Sequence, residues 1–212
     1  MKQFGIAAIL VLFLTCSSLI LFAQKHKIGI DFGYGQTRIS DNLQEKGYFS
    51  ELKGDYWTTG ASYFYTLGKS IVDVGSGINL TSRGVENMQL YYLSVPISVD
   101  FHYGNVVEFT AGGGVSADIL LSSNVNESEL PGSNPSIDKK QFRIFFRGGL
   151  IYKFNERYWL KMQYNYQVDL SPAYKANKYY GLGPAESFSG WYGADHYLSL
   201  SLGVNLGKSI SE

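Results

Sequence analysis

Cysteine is nearly missing from this chain: its 212 residues hold one, Cys16. That residue falls in an N-terminal segment read below as a cleaved leader, so the mature chain has no thiol, no disulfide and no thiolate metal site. Net charge is missing as well. With 18 basic and 18 acidic side chains, nothing draws the protein toward nucleic acid. Long hydrophobic runs are confined to residues 4–22, which follow the short basic start Met1-Lys2-Gln3 and end at Ala23-Gln24. This is the pattern of a secretory signal peptide over residues 1–23 with cleavage after Ala23. The polar break Thr15-Cys16-Ser17-Ser18 argues against a permanent helical span, and the apolar residues that follow it fit an acylated lipoprotein cysteine poorly. Residues 24–212 then form one domain.

What the chain has in quantity is glycine and aromatic rings: 24 Gly, 17 Tyr and 13 Phe at near-average hydropathy. The segment 91–121 shows how they are used. Tyr91, Leu93, Val95, Ile97, Val99, Phe101 and Tyr103 share one face of a strand, opposite Tyr92, Ser94, Pro96, Ser98, Asp100 and His102, a period of two. After Gly104-Asn105, Val107, Phe109, Ala111, Gly113, Val115, Ala117, Ile119 and Leu121 alternate with Glu108, Thr110, Gly112, Gly114, Ser116, Asp118 and Leu120. Strands of soluble domains usually stop at about five or six residues, whereas each of these arms is long enough to cross a bilayer at a tilt. Aromatic residues at the arm ends with small aliphatics between them fit two interfacial girdles around a hydrocarbon band.

The same alternation recurs along the chain. Ile28, Ile30, Phe32 and Tyr34 mark a first strand over residues 27–37; Trp57, Thr59, Ala61, Tyr63, Tyr65 and Leu67 mark a second over 56–67; Val72, Val74, Ile78 and Leu80 mark a third. Residues 141–154 and 158–170 form another pair around Asn155-Glu156-Arg157, and Leu198, Leu200, Leu202, Val204 and Leu206 form a last strand. Residues 37–55, 82–88, 122–140 and 171–196 read as loops. Eight strands joined alternately by long and very short connections predict an all-β fold, an eight-stranded antiparallel up-and-down transmembrane β-barrel in the outer membrane. Its loops are expected outside the cell, and both mature termini in the periplasm. Closure removes the edges that an open sheet could not expose to lipid.

Tyr92-Leu93-Ser94-Val95-Pro96-Ile97 followed by the Gly112-Gly113-Gly114 strand, with Leu80-Thr81-Ser82-Arg83-Gly84 and Tyr164-Asn165-Tyr166, resembles the PorT-like outer-membrane barrels of Gram-negative bacteria. The resemblance implies a barrel without catalytic residues and a role as an accessory part of a secretion or envelope-assembly machine.

The inward faces collect charge: Lys27, Asp31, Asp73, Asp100, Glu108, Asp118, Arg143, Arg147, Lys153, Lys161 and Asp169. Because an eight-stranded barrel is only wide enough to be filled by its own side chains, these groups are expected to pair into a buried plug centred on Arg143 and Arg147, with Asp31, Asp73 or Asp118 facing Arg147. No cofactor or metal is expected, since His26 and His102 are too dispersed to make a metal site. Asp195-His196 with Ser199 is the one local candidate for a nucleophile and base. His196 and Ser199 are an odd number apart, however, and so fall on opposite faces of a regular strand. The expected role is non-enzymatic, structural or loop-mediated. Outer-membrane lipid is the expected partner, along with envelope or secretion proteins met through loops or periplasmic turns. A lipid-modifying enzyme is the third alternative.

Overall fold

In the computed structural model the structure describes residues 26–41, 51–67, 71–85, 88–125, 133–178 and 187–206. The leader read over residues 1–23 lies outside them. Ten strands follow one another: β1 His26–Asp41, β2 Glu51–Thr66, β3 Val72–Val85, β4 Met88–Gly104, β5 Val107–Val125, β6 Ser133–Ile137, β7 Lys140–Lys153, β8 Tyr158–Asp169, β9 Tyr174–Lys178 and β10 Ser187–Asn205. Eight of them, β1 to β5, β7, β8 and β10, pair antiparallel in sequence order, and β1 pairs with β10 from Lys27↔Asn205 to Asp41↔Trp191. That pairing closes the barrel. β9 pairs with β10 beyond the β8 contact, and β6 pairs with β9, so these two short strands extend the wall at one end.

The two ends differ as the connections do. At the turn end, Gly104 adopts φ +138°, and a Cβ there would lie 2.2 Å from the Val107 carbonyl oxygen, so only glycine fits this tight reversal. At the same end, the Asn155 side-chain oxygen accepts the backbone N–H groups of Arg157 and Tyr158 at 2.8 and 2.9 Å, which closes the β7–β8 turn. The start of β1 and the end of β10 also lie here, joined by Leu206 N–H donating to His26 O at 2.7 Å. The other end, where β1 and β3 finish and β2 and β4 begin, is the loop end.

Burial is inverted relative to a soluble domain. Ile30 is 71% and Phe109 69% exposed, while Arg83 is 0% and Arg143 1% exposed. Tyr34, Trp57 and Tyr91 form part of an aromatic row toward the loop end, with Tyr34 opposite Trp57 and the Trp57 and Tyr91 rings 6.4 Å apart. Tyr63, Tyr103, Phe109, Tyr152, Phe154 and Tyr158 form the counterpart toward the turn end. These rows flank the outward Ile, Val, Leu and Phe side chains, as girdles flank a hydrocarbon band.

Inside, glycines make room for large rings. Added Cβ atoms at Gly75 and Gly203 would lie 2.5 Å from Phe64 and 2.1 Å from Trp159. Phe64, Ile151 and Trp159 pack together near the turn end, and Ile39, Leu52, Val85, Met88, Leu90, Tyr92 and Ala173 pack together at the loop end.

Four segments read from sequence as loops are partly strand. β1 runs on to Asp41 and β2 starts at Glu51; β3 and β4 continue to Val85 and from Met88; β5 reaches Val125, and 122–140 also holds β6; 171–196 holds β9 and the first half of β10. The reason is that pairing outlasts the lipid-facing pattern. Beyond the girdle, the outward positions Gln36, Arg38 and Ser40 are polar, while the inward positions Thr37 and Ile39 stay buried.

Candidate functional site

Arg83 on β3 is, with Arg143, the largest fully buried side chain among the described residues. Its guanidinium donates Nε and Nη2 to Asp195 Oδ2 at 2.9 and 2.6 Å, Nη2 and Nη1 to Asp169 Oδ1 and Oδ2 at 2.7 and 3.0 Å, and Nη1 to Gln141 Oε1 at 3.2 Å. This satisfies the planar fork on all sides. Arg143 on β7 lies beside it. It pairs with Asp118 and donates Nη1 to Asp195 Oδ2 and Gln167 Oε1, both at 3.0 Å, and Nη2 to Ser94 Oγ at 3.1 Å. Thr37 Oγ1 donates to Asp195 Oδ1 at 2.6 Å, the Gly193 N–H donates to Asp169 Oδ2 at 2.6 Å, and the Tyr56 hydroxyl donates to Gln167 Oε1 at 3.3 Å. Thr37, Tyr56, Arg83, Ser94, Asp118, Arg143, Asp169 and Asp195 come from eight different strands, so one buried network ties together every strand of the barrel.

The centre expected at Arg143 and Arg147 is therefore corrected to Arg83 and Arg143. Arg147 belongs to a lower tier. It donates to Ser98 Oγ at 2.7 Å and pairs with Asp100, and its guanidinium carbon lies 5.5 Å from the Phe64 ring and 5.4 Å from the Phe145 ring. None of Asp31, Asp73 and Asp118 is its partner. The register explains this, because Asp100 and Arg147 both pair with Gly112 of β5. With no side chain between them, the arginine reaches across that strand to the carboxylate.

Lys161 is 4% exposed and makes no ion pair with a described residue; its ammonium lies 3.9 Å from the centre of the Phe64 ring, a cation–π contact. Asp31 faces inward, half-buried, and likewise has no ion pair among the described residues. A third tier stands at the turn end. Lys27 pairs with Asp73 at 2.7 Å, Lys153 pairs with Glu108, and His102 lies between the two acids, Nε2 3.4 Å from Asp73 and Nδ1 3.5 Å from Glu108. The carboxylates face opposite ring nitrogens and cannot converge on one ion. Among the described residues no group of His, Cys, Asp and Glu is arranged to hold a metal. Lys27, Asp73, Glu108, Lys153 and Lys161 also line a cavity of about 20 Å³, room for about one water molecule.

No protein-family model matches the chain, and no curated protein does. Solved structures do match. The outer membrane protein OprG from Pseudomonas aeruginosa superposes with a TM-score of 0.57 at 12% identity, covering 88% of this chain and 97% of that one. Neisserial surface protein A superposes with a TM-score of 0.52 at 12% identity, covering 84% and 96%. At that identity the likeness is one of fold: this chain has the closed eight-stranded architecture of known outer-membrane barrels. The PorT-like likeness stays one of short motifs. Two of those motifs nevertheless carry interior residues, since Arg83 lies in Leu80-Thr81-Ser82-Arg83-Gly84 and Ser94, which accepts from Arg143, in Tyr92-Leu93-Ser94-Val95-Pro96-Ile97.

The constellation of Asp195, His196 and Ser199 is split by the wall. Asp195 is fully buried among the arginines. His196 points outward with Nε2 3.3 Å from Gln36 Oε1, and Ser199 points inward and accepts from Asn165 Nδ2 at 2.8 Å. Sequence reading missed Arg83 and the interior role of Asp195 because both fell in segments taken as loops. The signal was present in the parity: Thr81, Arg83 and Val85 continue the inward row of Asn79, and Gly193, Asp195 and Tyr197 continue that of Ser199 and Ser201.

Proposed function

We propose that the chain is an integral outer-membrane protein whose barrel is a closed, non-conducting and non-enzymatic anchor. In this reading the loop end faces outward and both mature termini face the periplasm. The structure serves to hold the wall rigid and to present β6, β9 and the first half of β10 as an interaction surface. The observation that carries this reading is the buried Arg83–Arg143 network spanning all eight barrel strands. A conduit would need its cross-section open to water, whereas here guanidinium and carboxylate groups occupy it and an apolar cluster lies over them. Membrane fractionation tests the location: the chain is expected with outer membranes, with gel mobility that changes on heating because a closed hydrogen-bonded barrel resists detergent until heated. Recovery in the soluble periplasm would contradict it.

The PorT-like motifs favour a second role compatible with the first, in which the barrel is an accessory component of a secretion or envelope-assembly machine. Cross-linking in cells followed by mild detergent extraction separates the two. A defined set of envelope proteins held through the barrel supports the machine, and recovery of the barrel alone supports a free-standing anchor.

A further inference from the structure

Lys161 reaches into the bore from β8, its ammonium 3.9 Å from the centre of the Phe64 ring and 5.9 Å from that of Trp159. Aromatic rings do not take all three N–H groups of an ammonium, and a buried charge left short of hydrogen bonds is costly. Lys161 lines the turn-end cavity of about 20 Å³ together with Glu108, Trp159 and Asn205. Each of these three carries a buried polar atom without a hydrogen bond among the described residues: Glu108 Oε2, Trp159 Nε1 and Asn205 Oδ1. Asn205 Nδ2 donates to Glu156 O at 2.6 Å, so its other end is the acceptor. Glu108 Oε1 is taken by Lys153, and Oε2 lies 3.5 Å from His102 Nδ1.

The cavity therefore brings together two donors, Lys161 Nζ and Trp159 Nε1, and two acceptors, Glu108 Oε2 and Asn205 Oδ1. An anion there would meet both acceptors and a cation both donors, whereas a water molecule donates twice and accepts twice and so serves all four. The charges of the lining agree. Lys27, Lys153 and Lys161 stand against Asp73, Asp100 and Glu108, so no excess of either sign calls for a counter-ion.

We propose that this cavity is a binding site for one water molecule, which donates to Glu108 Oε2 and Asn205 Oδ1 and accepts from Lys161 Nζ and Trp159 Nε1. The bridge completes the turn-end tier. Lys27–Asp73 joins β1 to β3, Lys153–Glu108 joins β7 to β5, and His102 of β4 stands between the two acids. These pairs leave out β8 and β10. The water carries the ring on to Lys161 and Trp159 of β8 and to Asn205 of β10, and a water-mediated contact is nearly as favourable in enthalpy as a direct one. The site belongs to the closed barrel, whichever end faces the periplasm.

The test uses the full mature chain with isotope-labelled tryptophan, refolded in bicelles and checked for heat-modifiable mobility. The Trp159 indole signal is assigned by its loss in W159F, with Trp57 and Trp191 keeping theirs. NOE and ROE transfer from water to Trp159 Hε1 is then read. The wild type should give cross-peaks of opposite sign in the two, the mark of a bound rather than a passing water. K161M, which replaces the charged donor by an apolar chain, should lose them while keeping the heat-modifiable band, and R157Q, outside the cavity, should keep both. No such cross-peaks in the wild type, or cross-peaks that K161M leaves at full strength, overturn the site while leaving the barrel reading intact. Exchanging sodium sulfate for sodium bromide at equal ionic strength should change nothing; loss of the cross-peaks there would put a halide in place of the water and also overturns the site. If K161M gives no heat-modifiable band, the wild-type and bromide spectra decide by themselves. A wild type without that band contradicts the barrel itself.

Discussion

Arg83 and Arg147 both point into the barrel at carboxylates, yet their surroundings predict different costs of removal. Arg83 serves two aspartates that are fully buried, and truncating one member of such a group leaves uncompensated charge at about 3 to 5 kcal/mol. Arg83→Ala should lower the urea unfolding midpoint by a corresponding amount, read through the fluorescence of the buried Trp159. Arg147 is less enclosed, and Lys161 shares the Phe64 ring with it. That ammonium can turn to Asp100 when the guanidinium is gone, so Arg147→Ala should cost only about 1.5 to 3 kcal/mol, the range of a hydrogen bond to a charged group. A larger loss for Arg147→Ala than for Arg83→Ala would put the centre of the plug back where the spacing of Arg143 and Arg147 suggested.

At the scale of strands, the period-two alternation gave both faces of β4 and β5 over residues 92–119, short of the register shift beside Tyr91, because lipid on one side and a packed interior on the other act on every second residue. Strand ends were less legible for the same reason. Past the girdle the outward positions meet water and turn polar, so 37–55 and 82–88 resemble loops although backbone pairing continues into them, as far as Ser40↔Glu51 and Val85↔Met88. The plug was legible as a set of inward charges but not in its pairing, which depends on register across strands distant in sequence. Asp100 and Arg147 meet only because Gly112 lies between them. An added Cβ at Gly112 would lie 2.1 Å from Asp100 Oδ1 and 2.5 Å from the Val99 carbonyl oxygen, whereas one at Gly148 would meet only the Thr110 carbonyl oxygen at 3.7 Å. Gly112→Ala should therefore destabilise by about 1 to 3 kcal/mol, and Gly148→Ala should be close to neutral; equal unfolding midpoints for the two variants would contradict this register. On the outer face, Ile97 is 57% exposed near the middle of the β4 row between Tyr91 and Tyr103. Ile97→Arg should cost about 2 to 4 kcal/mol in lipid vesicles, and an unchanged midpoint there would mean that this wall does not face hydrocarbon.

For the molecule as a whole, the wall and its contents are one object. The eight strands close through β1 and β10, and the Arg83–Arg143 network holds side chains from each of them, so the interior has no freedom to open without breaking several buried ion pairs at once. Above that network the apolar group of Ile39, Leu52, Val85, Met88, Leu90, Tyr92 and Ala173 packs together toward the loop end. Below it, Phe64, Ile151 and Trp159 narrow the turn end. Planar-bilayer recording of the purified, heat-modifiable protein tests this closure most directly. A plugged barrel predicts membranes that stay silent at every applied voltage with the barrel inserted, and steady ohmic current scaling with the amount of inserted protein would contradict it.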